Sequence, residues 1–186
     1  IQDCIVRFFG KKQDEKIFGI FRLGTILDYN MRDDTAAGKF IIKALAGDDV
    51  TPYKHSMNKP MFFISMNDVC KSFKSFIDYI LTKDKKNIGD VDHIFNLAYP
   101  TPVKIIDLAN SIIDSVKKNS NGKILPKLSI VDLGIEETDS QIVEKSAQID
   151  ISKINEYLNI SSLTKPEDVI DQIIRSRLDK MDESNA

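Results

Sequence analysis

At 186 residues, with 42% hydrophobic and 29% charged residues, the chain has the length and balance of one globular domain with a sizeable core. A formal net charge of −2 and the lack of any strongly basic region argue against a nucleic-acid surface, which gathers Lys and Arg on one face. No apolar run approaches the ~18 residues needed to span a bilayer, no signal-peptide pattern is visible, and two cysteines are too few for a disulfide framework.

The two cysteines, Cys4 and Cys70, both fall on apolar helix faces. They read as small buried hydrophobes in a reducing compartment, which predicts a cytoplasmic protein.

Taken in chain order, the first fourteen residues read as the end of a helix. Ile5, Phe8 and Phe9 make its apolar side, and Gly10 with Lys11 and Lys12 fits its stop. Residues 17–24 read as a strand buried on both faces, because Ile17, Phe18, Ile20, Phe21 and Leu23 are nearly continuous. Asp33, Asp34 and Thr35 offer caps to a helix with Ala36, Ala37, Phe40, Ile41, Ala44 and Leu45 on one stripe, ending at Gly47. Residues 61–65 form a short apolar strand. Asn67 or Asp68 caps the next helix, whose predicted face is Val69, Cys70, Phe73, Phe76, Ile77, Ile80 and Leu81.

The polar run 83–92 reads as a solvated turn, and 93–98 as another buried strand. Thr101 or Pro102 precedes a helix with Ile105, Leu108, Ala109, Ile112 and Val116 inward, stopped by the turn signal at 119–122. Residues 128–133 read as a strand and 134–148 as a surface loop. Residues 151–158 read as a short helix. A last helix over 166–178 carries Pro166 in its first turn and turns Val169, Ile170, Ile173 and Ile174 inward. The charged last eight residues are expected to fray. Strands alternating with helices give an α/β class.

Little in the chain carries chemistry by itself. A dinucleotide site needs a glycine-rich turn between strand and helix. The eight glycines are scattered and none forms GxGxxG or GxxGxxG. His55 and His93 are too few and too isolated for a metal site, and His93 reads as a packed or hydrogen-bonded residue. The acidic residues Glu136, Glu137 and Asp139 read as a solvated loop, and Asn159-Ile-Ser161 as a chance match to a glycosylation acceptor. Tyr79 and Lys83 stand four apart near the end of a helix.

Four passages in order carry a resemblance: Phe18-Gly-Ile-Phe-Arg-Leu-Gly24, Phe62-Phe-Ile-Ser-Met-Asn-Asp-Val69, Phe95-Asn-Leu-Ala98 and Asp150-Ile-Ser-Lys153. Over roughly residues 1–178 the chain resembles the C-terminal half of the extended short-chain dehydrogenases, the NAD-dependent sugar-nucleotide epimerases and dehydratases. No single passage is decisive. Their order and spacing carry the likeness. The resemblance implies late strands and helices of a Rossmann-like parallel sheet plus a small α/β substrate-binding lobe. Residues 1–24 would end the dinucleotide-binding domain. Residues 25–186 would form the substrate lobe, with strand 93–98 returning to the large sheet.

The resemblance also implies an enzyme using NAD or NADP on a hydroxyl of a nucleotide-activated sugar. Its catalytic Tyr and Lys would stand on the helix before strand 17–24, ahead of Ile1, which makes the Tyr79/Lys83 spacing accidental. This segment alone would be inactive and would need an N-terminal half, with a homodimer as the implied assembly. Strands 17–24 and 93–98 would be sticky edges without that half.

Matching residue by residue, Leu23, Gly24 and Thr25 fall at the cofactor. Thr25, Lys39, Phe40, Tyr53, Phe63 and Tyr99 fall at the substrate, with Thr25 where an Asn is usual and Tyr53 as an aromatic near the base. Met61 replaces a phosphate-clamping Arg, and the loop before Asp150 lacks a second one. These departures leave two alternatives open: an L-threonine-dehydrogenase-like relative with a small substrate, and a non-catalytic nucleotide-binding scaffold or sensor.

Overall fold

A computed structural model describes residues 17–82, 93–136 and 148–184. The helix read at 1–14, Cys4, Lys83, the turn at 83–92, Glu137 and Asp139 lie outside the described residues.

The elements run β1 (Ile20–Leu23), β2 (Thr25–Leu27), α1 (Ala36–Leu45), β3 (Pro60–Met61), β4 (Phe63–Ser65), α2 (Met66–Thr82), β5 (Ile94–Leu97), β6 (Val103–Lys104), α3 (Ile105–Asn119), α4 (Ser152–Leu158) and α5 (Pro166–Ser184). The strands pair in twos. β1 runs parallel to β5, with Phe21 opposite Phe95 and Leu23 opposite Leu97. β2 runs parallel to β4, with Thr25 opposite Phe63. β3 pairs antiparallel with β6. The expected α/β class with parallel strands is what the chain adopts.

Two apolar cores result. The first gathers Phe40, Ile41 and Ala44 of α1, Leu108, Ile112 and Val116 of α3, and Ile170, Ile173 and Ile174 of α5 over Leu27 and Phe63. The second gathers Val69 and Phe76 of α2, Phe95 and Leu97 of β5, and Ile154 and Leu158 of α4, with Ile64 and Leu163. Strand β4 divides the two. Successive side chains of a strand point to opposite faces, so Phe63 enters one core and Ile64 the other. Each fully buried Ile, Leu or Phe contributes roughly 1.5–3 kcal/mol by leaving water.

Local chemistry sets several boundaries. Thr35 caps α1, its Oγ accepting from the Gly38 amide at 3.1 Å. Gly38 is required there, since a Cβ would come 2.4 Å from the Arg32 carbonyl oxygen. Helix α3 ends in a turn carrying Asn121 and Gly122 at positive φ. Helices α3 and α5 are clasped by Asp171, whose carboxylate accepts from Ser115 Oγ and Asn119 Nδ2 at 2.8 Å each. Arg175 completes the clasp at 2.7 Å.

The structure corrects the sequence reading at several points. The strand at 17–24 is shorter and half-exposed, with Ile17 and Leu23 facing solvent, and among the described residues only β5 pairs with it. At Gly24 the chain leaves that pairing and continues as β2. Residues 61–65 are two strands, broken at Phe62. Ala36 is exposed. Residues 128–133 make only isolated bridges, Val50 with Leu128 and Tyr53 with Val131, instead of a ladder. Helix α5 continues through the charged residues to Ser184.

The largest correction is the rotation of α2. Asp68, Val69, Ser72 and Phe76 point inward, while Cys70, Phe73, Ile77 and Leu81 are exposed. Cys70 is therefore not the buried hydrophobe expected. The cap is Ser65: its hydroxyl accepts from the Asp68 amide at 3.0 Å and donates to the Asp68 carboxylate at 2.7 Å. A buried carboxylate that needs partners, together with the β4-to-α2 turn, fixes the helix phase against the pull of Phe73 and Ile77.

Candidate functional site

The expected site residues divide into a joined group and two separate ones. The joined group stands where β1 and β5 end. Gly24 donates its amide to Leu97 O at 3.0 Å, Thr25 to Phe62 O at 2.7 Å, and Tyr99 to Phe63 O at 2.7 Å. These bonds tie Gly24 to the end of β5, Thr25 to Phe62 just before β4 and Tyr99 to Phe63 of β4, so the ends of the two parallel strand pairs meet here. Thr25 is exposed and Tyr99 half-buried, so a hydroxyl of each type borders solvent there. Phe63 is in the first core and fixes the junction from beneath.

Gly24 is present for space. A Cβ on it would come 2.8 Å from Phe62 O and 2.9 Å from the Ala98 Cβ. The gap left by the missing side chain is filled by this chain's own backbone.

Phe40 does not join this group. It is buried in the first core, one turn inside α1. Lys39 is its exposed neighbour, past the Thr35 cap. The N-terminus of α1 carries no acidic residue in its first turn, and the Thr35 hydroxyl caps its Gly38 amide. Tyr53 is half-exposed beyond α1. Its ring stacks on His55, with centroids 5.7 Å apart and planes at 20°. The flanking Lys54 Nζ pairs with Asp132 at 2.8 Å. That hydrogen bond from Lys54, with one from the Gly134 amide, holds the Asp132 carboxyl below its ordinary range. Neither Lys39 nor Tyr53 makes a hydrogen bond, ion pair or ring contact with the Gly24 junction.

Tyr79 is partly buried, its ring edge-on to His93 at 6.0 Å and to Tyr157 at 6.1 Å. His93 is buried among Phe76, Tyr79 and Phe95, as a packed residue should be. No cluster of His, Cys, Asp and Glu fit for a metal ion occurs among the described residues. No helix among them is long and apolar enough to cross a membrane.

Sequence reasoning missed two fixtures behind the junction. Asp68 accepts from the Thr164 amide at 2.8 Å, and Asn96 donates to Asp150 O at 3.1 Å. Together they bind the segments before and after α4 to α2 and β5. The Ser65-x-x-Asp68 spacing signals the local cap, an N-cap pattern with a reciprocal acid, but not the Thr164 partner 96 residues away. The second had no local signal, since the partner is a backbone carbonyl 54 positions away.

No protein-family model matches the sequence, and no curated protein matches it. Solved structures do match by fold. The dTDP-glucose 4,6-dehydratase of Bacillus anthracis, solved with NAD, superimposes with a TM-score of 0.68 at 14% identity, over 97% of this chain and 50% of that one. The UDP-N-acetylglucosamine 4-epimerase of Bacillus cereus gives 0.64 at 17%, over 92% and 49%. The UDP-glucuronic acid 4-epimerase of Bacillus cereus, solved with UDP-glucuronic acid and NAD, gives 0.58 at 20%, over 86% and 45%. The chain thus has the fold expected from its four passages, that of about half the length of these sugar-nucleotide epimerases and dehydratases.

Proposed function

We propose that this chain is the substrate-binding, C-terminal half of an NAD(P)-dependent epimerase or dehydratase acting on a hydroxyl of a nucleotide-activated sugar. The carrying observation is the junction at Gly24. Open parallel sheets bind ligands just beyond the carboxyl ends of their strands. Here two such ends, at Leu23 and Leu97, meet the β2–β4 pair through backbone bonds from Gly24 to Leu97, Thr25 to Phe62 and Tyr99 to Phe63. The fold likeness to enzymes that hold NAD and UDP-glucuronic acid supports the same assignment.

Thr25 and Tyr99 would face the sugar or the nicotinamide side of the cleft. Tyr53 would offer its exposed ring to the base, and Lys39 its charge to the diphosphate. Phe40 and Phe63 would shape the site from the core rather than touch ligand.

The residues present do not by themselves make a dinucleotide site. There is no glycine-rich turn, and the space spared by Gly24 is filled by Phe62 and Ala98. The catalytic Tyr and Lys, like the cofactor turn, would come from an N-terminal half. The intact enzyme would assemble as a homodimer.

Isothermal titration calorimetry tests this reading. The 186-residue chain alone should bind no NAD, and the protein completed with an NAD-binding half should bind NAD and be competed from its sugar nucleotide by free UDP or dTDP. Saturable NAD binding by the chain alone, or a completed protein indifferent to both nucleotides, would refute it.

A further inference from the structure

The turn that closes α3 carries Asn121-Gly122, the one Asn-Gly pair in the chain. Both residues are exposed, and both stand at positive φ, +50° and +74°. In such a pair the side-chain amide lies open to attack by the next backbone nitrogen, because glycine puts no Cβ in the way. A Cβ at Gly122 would itself meet nothing within 4 Å, so the fold does not crowd the pair. Hydrogen bonding does restrain it. The Gly122 amide donates to Lys117 O at 2.9 Å, and the Asn121 amide to Lys118 O at 3.2 Å. This is the double pairing by which a left-handed residue closes a helix. The buried Ser120 fastens the turn from its other side, its Oγ accepting from the Ile124 amide at 3.1 Å.

We propose that Asn121 is a modification site, which loses ammonia and becomes aspartate or isoaspartate at a rate set by opening of the α3 terminus. The inference stands apart from the functional reading above. The Gly122 nitrogen gives its proton to solvent hydroxide and bonds to Cγ of Asn121. The Cγ–Nδ2 bond breaks, and Nδ2 takes a proton from water and leaves as ammonia. Water then opens the cyclic imide. Breaking its bond from Cγ to the Gly122 nitrogen gives aspartate. Breaking its bond from the Asn121 main-chain carbonyl carbon to that nitrogen gives isoaspartate. Nothing is oxidised or reduced, and a neutral side chain becomes an anion.

In the closed turn, Lys117 O engages the Gly122 proton, and the negative end of the α3 dipole opposes charge on that nitrogen. The reaction therefore belongs to the opened turn, and helix ends open more readily than cores. Its product places a carboxylate where the dipole opposes it, or a lengthened backbone where the closing bonds form. Conversion thus keeps the turn open. Asn119, two positions earlier, is held differently: its Nδ2 donates to Ser115 O and to Asp171 at 2.8 Å each.

The 186-residue chain is kept in mildly alkaline buffer, native and in guanidinium chloride, and sampled over days. Trypsin releases residues 119–123 as one peptide, whose mass scores conversion and whose fragments locate it. Methyl transfer from S-adenosylmethionine by an isoaspartyl methyltransferase scores the isoaspartate. Asn121 should convert in denaturant, and at least about tenfold more slowly in the native chain. Ser120→Ala should speed the native rate about fivefold, as one lost hydrogen bond predicts, and leave the rate in denaturant unchanged. Ser120→Thr, which keeps the hydroxyl, should restore the protection, and circular dichroism checks that both variants fold. Equal native and denatured rates in a folded chain, or a native rate that Ser120→Ala leaves alone, would overturn the gating by this turn. Denatured chain that spares Asn121, or native chain that converts Asn119 faster, would overturn the site.

Discussion

Replacing Gly24 by Ala isolates the junction on which the proposed site is built. The new Cβ would lie 2.8 Å from Phe62 O, where ordinary contact begins at 3.4 Å, and 2.9 Å from the Ala98 Cβ. One obstacle is backbone and the other a short side chain on a paired segment, so no flexible group can swing away. The Phe62 carbonyl must move, and it accepts the 2.7 Å bond from the Thr25 amide. Overpacking of this kind costs about 1–3 kcal/mol, and a weakened backbone hydrogen bond about 1 kcal/mol more. Alanine also restricts the unfolded chain, which returns about 0.4–1 kcal/mol. The net expectation is a loss of about 1–3.5 kcal/mol. Gly122→Ala is the control. Its Cβ would meet nothing within 4 Å, but φ is +74°, so its cost of about 1–2 kcal/mol is purely conformational. Pulse proteolysis across a urea series reads both on dilute chain, which suits a protein without tryptophan. A Gly24→Ala chain within about 0.5 kcal/mol of wild type, or less perturbed than Gly122→Ala, would refute the reasoning.

Asp171→Ala should destabilise by about 2 kcal/mol at neutral pH, because it strips a charged acceptor from Ser115 and Asn119 and the pairing with Arg175. Burial pushes the Asp171 carboxyl up, but these hydrogen bonds and the Arg175 and Lys118 charges outweigh it and hold it below the ordinary 3.8. A depressed folded value stabilises above the unfolded value and fades as pH falls through the folded one. The gap between wild type and variant should therefore narrow below about pH 4; a gap constant from pH 7 to 3 in urea melts would count against the clasp.

Ser65→Ala should cost about 1–2 kcal/mol, since it removes the α2 cap and one partner of buried Asp68. Ser65→Thr, which keeps the hydroxyl, should recover most of it. In the completed enzyme, Tyr53→Ala should weaken nucleotide-sugar binding by about 1–3 kcal/mol through lost stacking, measured by calorimetry. Lys39→Ala should weaken it by an amount that shrinks as salt is raised, and a salt-independent loss would remove Lys39 from the diphosphate. Tyr79→Phe should leave turnover unchanged, and a folded variant without turnover would relocate the chemistry.

Periodicity alone determined the helices that bury one clean stripe. Leu108, Ile112 and Val116 of α3 and Val169, Ile170, Ile173 and Ile174 of α5 fall inward as their spacing requires. The Thr35 cap, the turn at 121–122 and the two strands that pair as β1 and β5 were equally legible, because each rests on neighbours in sequence. Helix α2 was not. Its apolar residues cover more than one face, so periodicity allowed two phases, and the choice fell to Ser65, Asp68 and a Thr164 amide 96 residues away. Gly24 looked like a strand end and is a crossing point, because its need for space comes from Phe62 and Ala98 on other segments. Phe40 and Phe63 could be read as ligand-facing until the packing of α1, α3 and α5 took them inside. Local spacing fixes which residues share a face. What that face meets is decided by segments distant in the chain, and so only by the folded whole.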